Sequence, residues 1–305
     1  MHYLRHRLGL ASLTFTFVLF LLAPLSSHAA IVIDPDTIIS TDTTWTAGAG
    51  PYVVAGGLQI DPGTKLTIEA GTVVQFEYGA FVVVYGAIDA IGTESQPITF
   101  TSLYEEEMCE VDEESGETFC QQLARPGDWA GIYIVESGAA SSFEHAHIRF
   151  SDDGIQVINA APLALDNVSF QDSGGGVFVI GSILSTSDTS FVRTDHPFYL
   201  VGAPASIASP SITDVARGSA IIAYDNTAVV ADDISIQSAS RGAIEVYDGT
   251  QIEIDGLTAS DIGGVEAIAG YNESTIIISD LVMENSDVAI GLDIYDGASL
   301  TLSNA

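Results

Sequence analysis

AIEVYDGTQIEIDGLTASDIGGV, residues 243–265, has near copies on both sides. Upstream lies AIIAYDNTAVVADDISIQSASRG (220–242), and downstream EAIAGYNESTIIISDLVMENSDV (266–288). Within each row apolar residues alternate with polar ones, as in Ile252-Glu253-Ile254. That period of two is the mark of a strand with one face buried and the other wet. Helical spacing is absent. The same row can be laid over the chain back to Gly131, as GIYIVESGAASSFEHAHIRFSDD (131–153), GIQVINAAPLALDNVSFQDSGG (154–175), GVFVIGSILSTSDTSFVRTDH (176–196) and PFYLVGAPASIASPSITDVARGS (197–219). A partial row, AIGLDIYDGASLTLSNA (289–305), ends the chain.

Two apolar columns carry this register. Ile132, Ile155, Val177, Phe198, Ile221, Ile244, Ala267 and Ile290 are spaced by 23, 22, 21, 23, 23, 23 and 23 residues. Ile148, Val168, Thr189, Ile212, Ile234, Leu257 and Leu281 form the second. Asn167, Asp188, Ser211, Asp233, Asp280 and Asn304 stand before that column, with Gly256 as the exception. Short polar side chains suit tight corners because they bond the local backbone and tolerate unusual dihedrals. Strands this short cannot each bury a core, whereas stacked copies can. The pattern predicts an all-β solenoid, a parallel β-helix of roughly ten coils. A leucine-rich repeat has a similar period, but its recurring Leu-x-x-Leu-x-Leu is missing.

The front half bears a family resemblance. Leu66-x-Ile68-Glu69-x-Gly71, Gly86-x-Ile88-x-Ala90-x-Gly92-Thr93, Pro97-Ile98-x-Phe100-x-Ser102 and Gly127-Asp128-Trp129-x-Gly131-Ile132 are glycine-punctuated strand ends. With the rows that follow, they resemble secreted bacterial right-handed parallel β-helix repeat proteins of the pectate-lyase-like superfamily, over essentially residues 52–305. The resemblance implies right-handed coiling. It is a poor guide to activity, because that superfamily holds lyases, hydrolases, adhesins and surface proteins, and fold does not fix function.

Charge narrows the partners. Eight Lys and Arg stand against 41 Asp and Glu, a formal net charge of −33. Nucleic acid needs a basic surface, so it is excluded as a partner. At 47% hydrophobic residues the chain is no disordered acidic tail. Arg5, His6 and Arg7 precede an apolar run from Leu8 to Leu22 and then small residues to Ala30. These are the parts of a secretory signal peptide, residues 1–29, with cleavage near Ala29. A retained anchor is the alternative, since 15 apolar residues fall just below spanning length. No later stretch is apolar for long enough to be a mature transmembrane segment, so the expected location is secreted or cell surface. Residues 30–51 read as a lead-in that caps the first coil, and 52–305 as the β-helix. The chain stops inside a row, which points to a fragment or to a missing C-terminal domain or capping partner.

An insertion, residues 103–126, interrupts the pattern. Glu105, Glu106, Glu107, Glu110, Asp112, Glu113, Glu114 and Glu117 put eight carboxylates within thirteen residues. A hard cation such as Ca²⁺ would relieve their repulsion, although no Asp-x-Asp-x-Asp-Gly spacing is present. A solvated acidic hairpin explains the same run. Cys109 and Cys120, the two cysteines, are expected to close it as a disulfide in an oxidising compartment.

Four further features bear on function. Tyr224, Tyr247, Tyr271 and Tyr295 recur at intervals of 23, 24 and 24, a ligand-binding stripe for a polysaccharide or surface glycan, or a purely structural ladder. His145 and His147, at i and i+2, are expected on one strand face without a third metal ligand. Asp152-Asp153 and Asp232-Asp233 are the adjacent carboxylate pairs, yet alternation directs neighbours to opposite sides of a strand, and both pairs sit at or near predicted turns. A lyase base would have to come from Lys65, Arg125, Arg149, Arg193, Arg217 or Arg241. No residue is assigned a catalytic role. The main reading is a non-enzymatic binding or adhesion module, and the alternative is a carbohydrate-active enzyme, either polysaccharide lyase or glycoside hydrolase.

Overall fold

A computed structural model describes residues 29–105, 107–111, 118–122, 124–286 and 290–305. The signal segment, Glu106, Asp112, Glu113, Glu114 and Glu117 therefore lie outside the described residues. The fold is an all-β parallel solenoid of about 11 turns with a repeat of about 23 residues. Each coil contributes one strand to each of three faces. Face 1 includes Gly131–Val135, Ile155–Ile158, Ser219–Tyr224, Gly242–Val246 and Glu266–Gly270. Face 2 includes Lys65–Glu69, Leu184–Ser187 and Ser299–Ser303. Face 3 includes Tyr52–Val54, Val73–Phe76 and Ser211–Val215. At about 4.8 Å per coil the rod is ~50 Å long.

Several strands run unbroken through a corner, the longest from Leu163 to Ile180. A single residue in the left-handed region turns the chain without interrupting the ladder. Between faces 2 and 3 that residue is His145, Asn167, Asp188, Ser209, Asp233, Gly256, Asp280 or Asn304, all with φ between 45° and 85°. The corner column foreseen from sequence is thus correct except at one coil, where Ser209 turns and Ser211 is already strand. His145 belongs to this column, yet the strand Ser141–Arg149 runs through it, and His145 and His147 line one shallow cavity.

The interior is a continuous apolar column, as the spacing predicted, with two adjustments. Ile244 pairs with Ile268, and Ile268 with Leu292, so in the last coils the first column shifts by one from Ala267 and by two from Ile290. The second column is really two. Ile148 stacks over Phe170, Phe191, Ile212 and Ile236, whereas Ala146 stacks over Val168, and Ile234 over Leu257 and Leu281. Each face 3 strand sends two side chains inward, and either alone satisfies the spacing. Large rings fill the wider places. Phe76 lies on Trp129 at 4.0 Å, and Phe170 on Phe191 at 5.0 Å.

The segment read as a cap is itself the first coil. Ile31–Ile33, Thr37–Ile39 and Thr43–Trp45 pair in parallel with the strands of the next coil, in the register of all the others. In the insertion, Glu107–Val111 and Thr118–Gln122 form an antiparallel hairpin.

Candidate functional site

Face 1 carries the chemistry on its outer side. Four positions cross it in each coil: a corner residue, a floor residue, a wall residue and, two places on, a residue at the far edge. In the middle coils the floor is Gly154, Gly176 and Pro197, and the wall is Gln156, Phe178 and Tyr199, stacked in register. Opposite that wall stand Asp152 and Asp153, then the backbone of Gly174 and Gly175, then His196. Together these residues enclose an open trench of about 260 Å³.

The glycines make the trench. A Cβ on Gly176 would stand 2.4 Å from the Phe191 ring and 2.5 Å from the Pro197 carbonyl oxygen. At Gly154, φ is +64° and a Cβ would lie 2.2 Å from the Gly176 oxygen. Only bare backbone fits at these two positions.

Asp152 and Asp153 diverge on a strand, but they are not on one. Their amides bond the carbonyls of Trp129 and Ala130 at 2.8 Å each, in the bend before the strand that starts at Ile155. From that bend both side chains line the same trench. The Tyr133 hydroxyl donates to Asp153 Oδ2 at 2.6 Å, fixing that carboxylate against the trench end. Burial, reinforced by Asp153, pushes the Tyr133 phenol well above its usual range. Alternation misdirected the reading of this pair, because the rule holds only within a strand. Asp232 and Asp233 are both exposed, with Asp233 at a corner, and join no cavity.

Beyond the trench the same face closes. Ala220, Ala243 and Ala267 occupy the floor and are fully buried. Glu245 is only 8% exposed although it points outward. Ser219 Oγ donates to it at 2.5 Å and Tyr247 OH at 2.8 Å, and Arg241 Nε lies 3.4 Å away. The four tyrosines do form a ladder. Tyr224–Tyr247 and Tyr247–Tyr271 stack at 4.5 and 4.8 Å, and Tyr271–Tyr295 at 6.0 Å. Phe178 and Tyr199, not recognised in the sequence, extend it into the trench, with Tyr199 meeting Tyr224 diagonally at 5.5 Å. Tyr199 sits two places earlier in its strand than Tyr224 does, which hid it from the row alignment. The inner rings cover one another's faces and present edges and hydroxyls outward. Tyr295, 52% exposed, has one face without an aromatic neighbour.

Most other candidates are tied up elsewhere. Glu105 is bound by Arg149 at 2.6 Å. Glu107 and Glu110 lie in the hairpin, and among the described residues no group of three His, Cys, Asp or Glu is arranged to hold a metal ion. Cys109 and Cys120 stand directly opposite each other in the hairpin register. His147 Nδ1 is 2.5 Å from Ser169 Oγ, and its burial, with Arg149 nearby, lowers its pKa. Lys65, Arg193 and Arg217 face Asp89, Asp172 and Asp195. Among the described residues, no helix is long and apolar enough to cross a membrane.

No protein-family model matches the sequence. Nor does any curated protein. Solved structures do resemble it in shape. A polygalacturonase from Erwinia carotovora ssp. carotovora superimposes with a TM-score of 0.50 at 10% identity, covering 92% of this chain and 98% of its own. The enzymatically active domain of bacteriophage CBA120 tailspike protein 2 gives 0.38 at 12% identity, over 87% of this chain and 43% of its own. A periplasmic alginate epimerase gives 0.27 at 11%, over 85% and 78%. At such identities the likeness is one of fold alone, and the fold is the pectate-lyase-like parallel β-helix that the glycine-punctuated strand ends implied.

Proposed function

We propose that the protein is an exported carbohydrate-active enzyme, with the trench on face 1 as its reacting centre. The gathering of Asp152, Asp153 and His196 around one trench carries this reading. Cleaving a glycosidic bond calls for two carboxyl groups beside it, one giving a proton to the leaving oxygen and one serving as base or nucleophile. Asp152 and Asp153 are that pair. Tyr133 holds the second of them in place, and His196 lines the same trench. Phe178 and Tyr199 offer a ring wall against which the apolar side of a sugar rests. The polygalacturonase with the same fold supports a polysaccharide as partner. The Arg5-to-Ala30 segment supports export, and the opposed register of Cys109 and Cys120 supports a bridge formed after it.

The test is release of reducing ends from a panel of polysaccharides. Asp152→Asn and Asp153→Asn are each expected to lower the rate by about 100-fold or more, while Tyr271→Phe leaves it unchanged. No cleavage of any polymer by the unaltered protein would remove the enzyme reading. The ladder would then favour the second one, a non-enzymatic binding or adhesion module. Its rings recur at coil spacing over five intervals. In that case replacing Tyr247 and Tyr271 together by Ala should weaken glycan binding.

A further inference from the structure

We propose that the trench selects an uncharged sugar polymer and rejects polyuronates. The inference rests on the trench being the substrate site, and it concerns which glycan enters. Two carboxylates and no lysine or arginine line the space. The polar groups that remain are Gln156, the Tyr199 hydroxyl, His196 and glycine backbone, all suited to sugar hydroxyls. The guanidiniums of the two following coils are paired elsewhere. Arg217 lies 3.6 Å from Asp195 and lines a different cavity, together with Asp172, Arg193 and Asp214. Arg241 lies against Glu245, two coils further on. A uronate in the trench would set its carboxylate beside Asp152 and Asp153 with no fixed cation to offset it. The whole chain, at −33, adds a field of the same sign at longer range.

A consequence concerns the reaction class. β-Elimination from a glycan removes a proton next to a carboxyl group, so a site that excludes uronates cannot work as a polyuronate lyase. Between the two enzyme classes open from the sequence, this leaves the glycoside hydrolase.

The experiment uses matched pairs of oligosaccharides with the same length and linkage. One pair is an oligogalacturonide and its carboxyl-reduced, neutral counterpart. The other is a gluco-oligosaccharide and its C6-oxidised, anionic counterpart. Binding is read by calorimetry at pH 7.5 and low ionic strength, with and without Ca²⁺, and cleavage is read separately by reducing ends. At least one neutral member should bind about tenfold or more tightly than its anionic partner, with the gap narrowing as salt is added. Gln156→Lys, which puts a cation in the wall, should shrink the gap by about fivefold. Anionic members binding as well as neutral ones, in either calcium condition, would overturn the proposal. So would an unchanged gap in a folded Gln156→Lys variant, or no binding by either neutral member. Neutral binding without cleavage would uphold the selection and remove the hydrolase, so the two ideas fail separately.

Discussion

The middle and the later coils of face 1 share a backbone and a register, yet one region is open and the other shut. Around Gly174, Gly175 and Gly176 the backbone is bare, and a trench opens beside the ring wall of Phe178 and Tyr199. Around Ala220, Ala243 and Ala267 the floor has methyl groups that are fully covered, and the outward Glu245 is enclosed by Ser219, Tyr247 and Arg241. The difference is not one of fold. Side chains that meet their copies in the next coil spend their contacts on each other, as the tyrosines do. Where the copy is a glycine, the contact is left for something else.

The sharpest way to break this contrast is to exchange floor residues. Gly176→Ala drives a methyl group into the Phe191 ring and the Pro197 carbonyl, and should cost about 3 kcal/mol in denaturant unfolding. Ala243→Gly, in the closed region, removes a methyl and adds chain entropy, and should cost about 1 kcal/mol. Equal costs would mean that the trench floor is no tighter than the rest of the face.

The ladder supplies the next test. Tyr247→Phe takes a hydroxyl donor from an almost buried carboxylate, so a loss of about 1.5 kcal/mol is expected. Tyr295→Phe touches no such partner and should change stability by less than ~0.5 kcal/mol. The phenols also set an alkaline limit. Burial raises the pKa of Tyr224 to about 12, and burial with Glu245 raises that of Tyr247 further. A phenol raised on folding adds stability that is whole below its unfolded value near 10 and is lost as pH climbs through the folded one. Melting temperature should therefore fall above pH 10, and by less in Tyr247→Phe. A flat profile to pH 12 would contradict the enclosure of the ladder.

The core of this architecture could be read from sequence because period-two apolar residues at a 23-residue spacing leave one arrangement that buries them all. The slips occurred where the spacing had two equal solutions. Ala267 and Ile268 are both fully buried, one outward under neighbouring side chains and one inward, so hydropathy does not choose between them. Ile234 and Ile236 pose the same ambiguity on face 3. The trench was harder to foresee, because its main feature is missing side chains. Gly174, Gly175 and Gly176 carry no side-chain signal, and alternation along a strand says nothing of where Asp152 and Asp153 point from a bend. The signal available was that a glycine run, a carboxylate pair and His196 occupy the same corner of successive rows.

A smaller effect distinguishes the corners behind the two regions. At the corner from face 3 to face 1, Asp172 and Arg193 both have positive φ and lie one coil apart, joined by two bonds of 2.5 and 2.8 Å. The equivalent residue of the next coil, Asp214, also acts on Arg193, and those of the coils beyond are Ser238, Asp261 and Asn285, which make no such tie among the described residues. The Arg193 guanidinium holds the Asp172 carboxyl below its usual range. A carboxyl lowered on folding adds stability that is present above its unfolded value near 4 and is lost as pH falls through the folded one. Because Arg193 is half exposed, solvent screens the pair, and Arg193→Gln should cost about 0.5 kcal/mol at neutral pH. As pH falls through the folded value the variant and the original should converge, because protonated Asp172 no longer favours the guanidinium. Asp261→Asn should shift neither the neutral nor the acid limb. If it matched Arg193→Gln, the tie would be no more than general surface charge, and the open coils would have no brace that the closed ones lack.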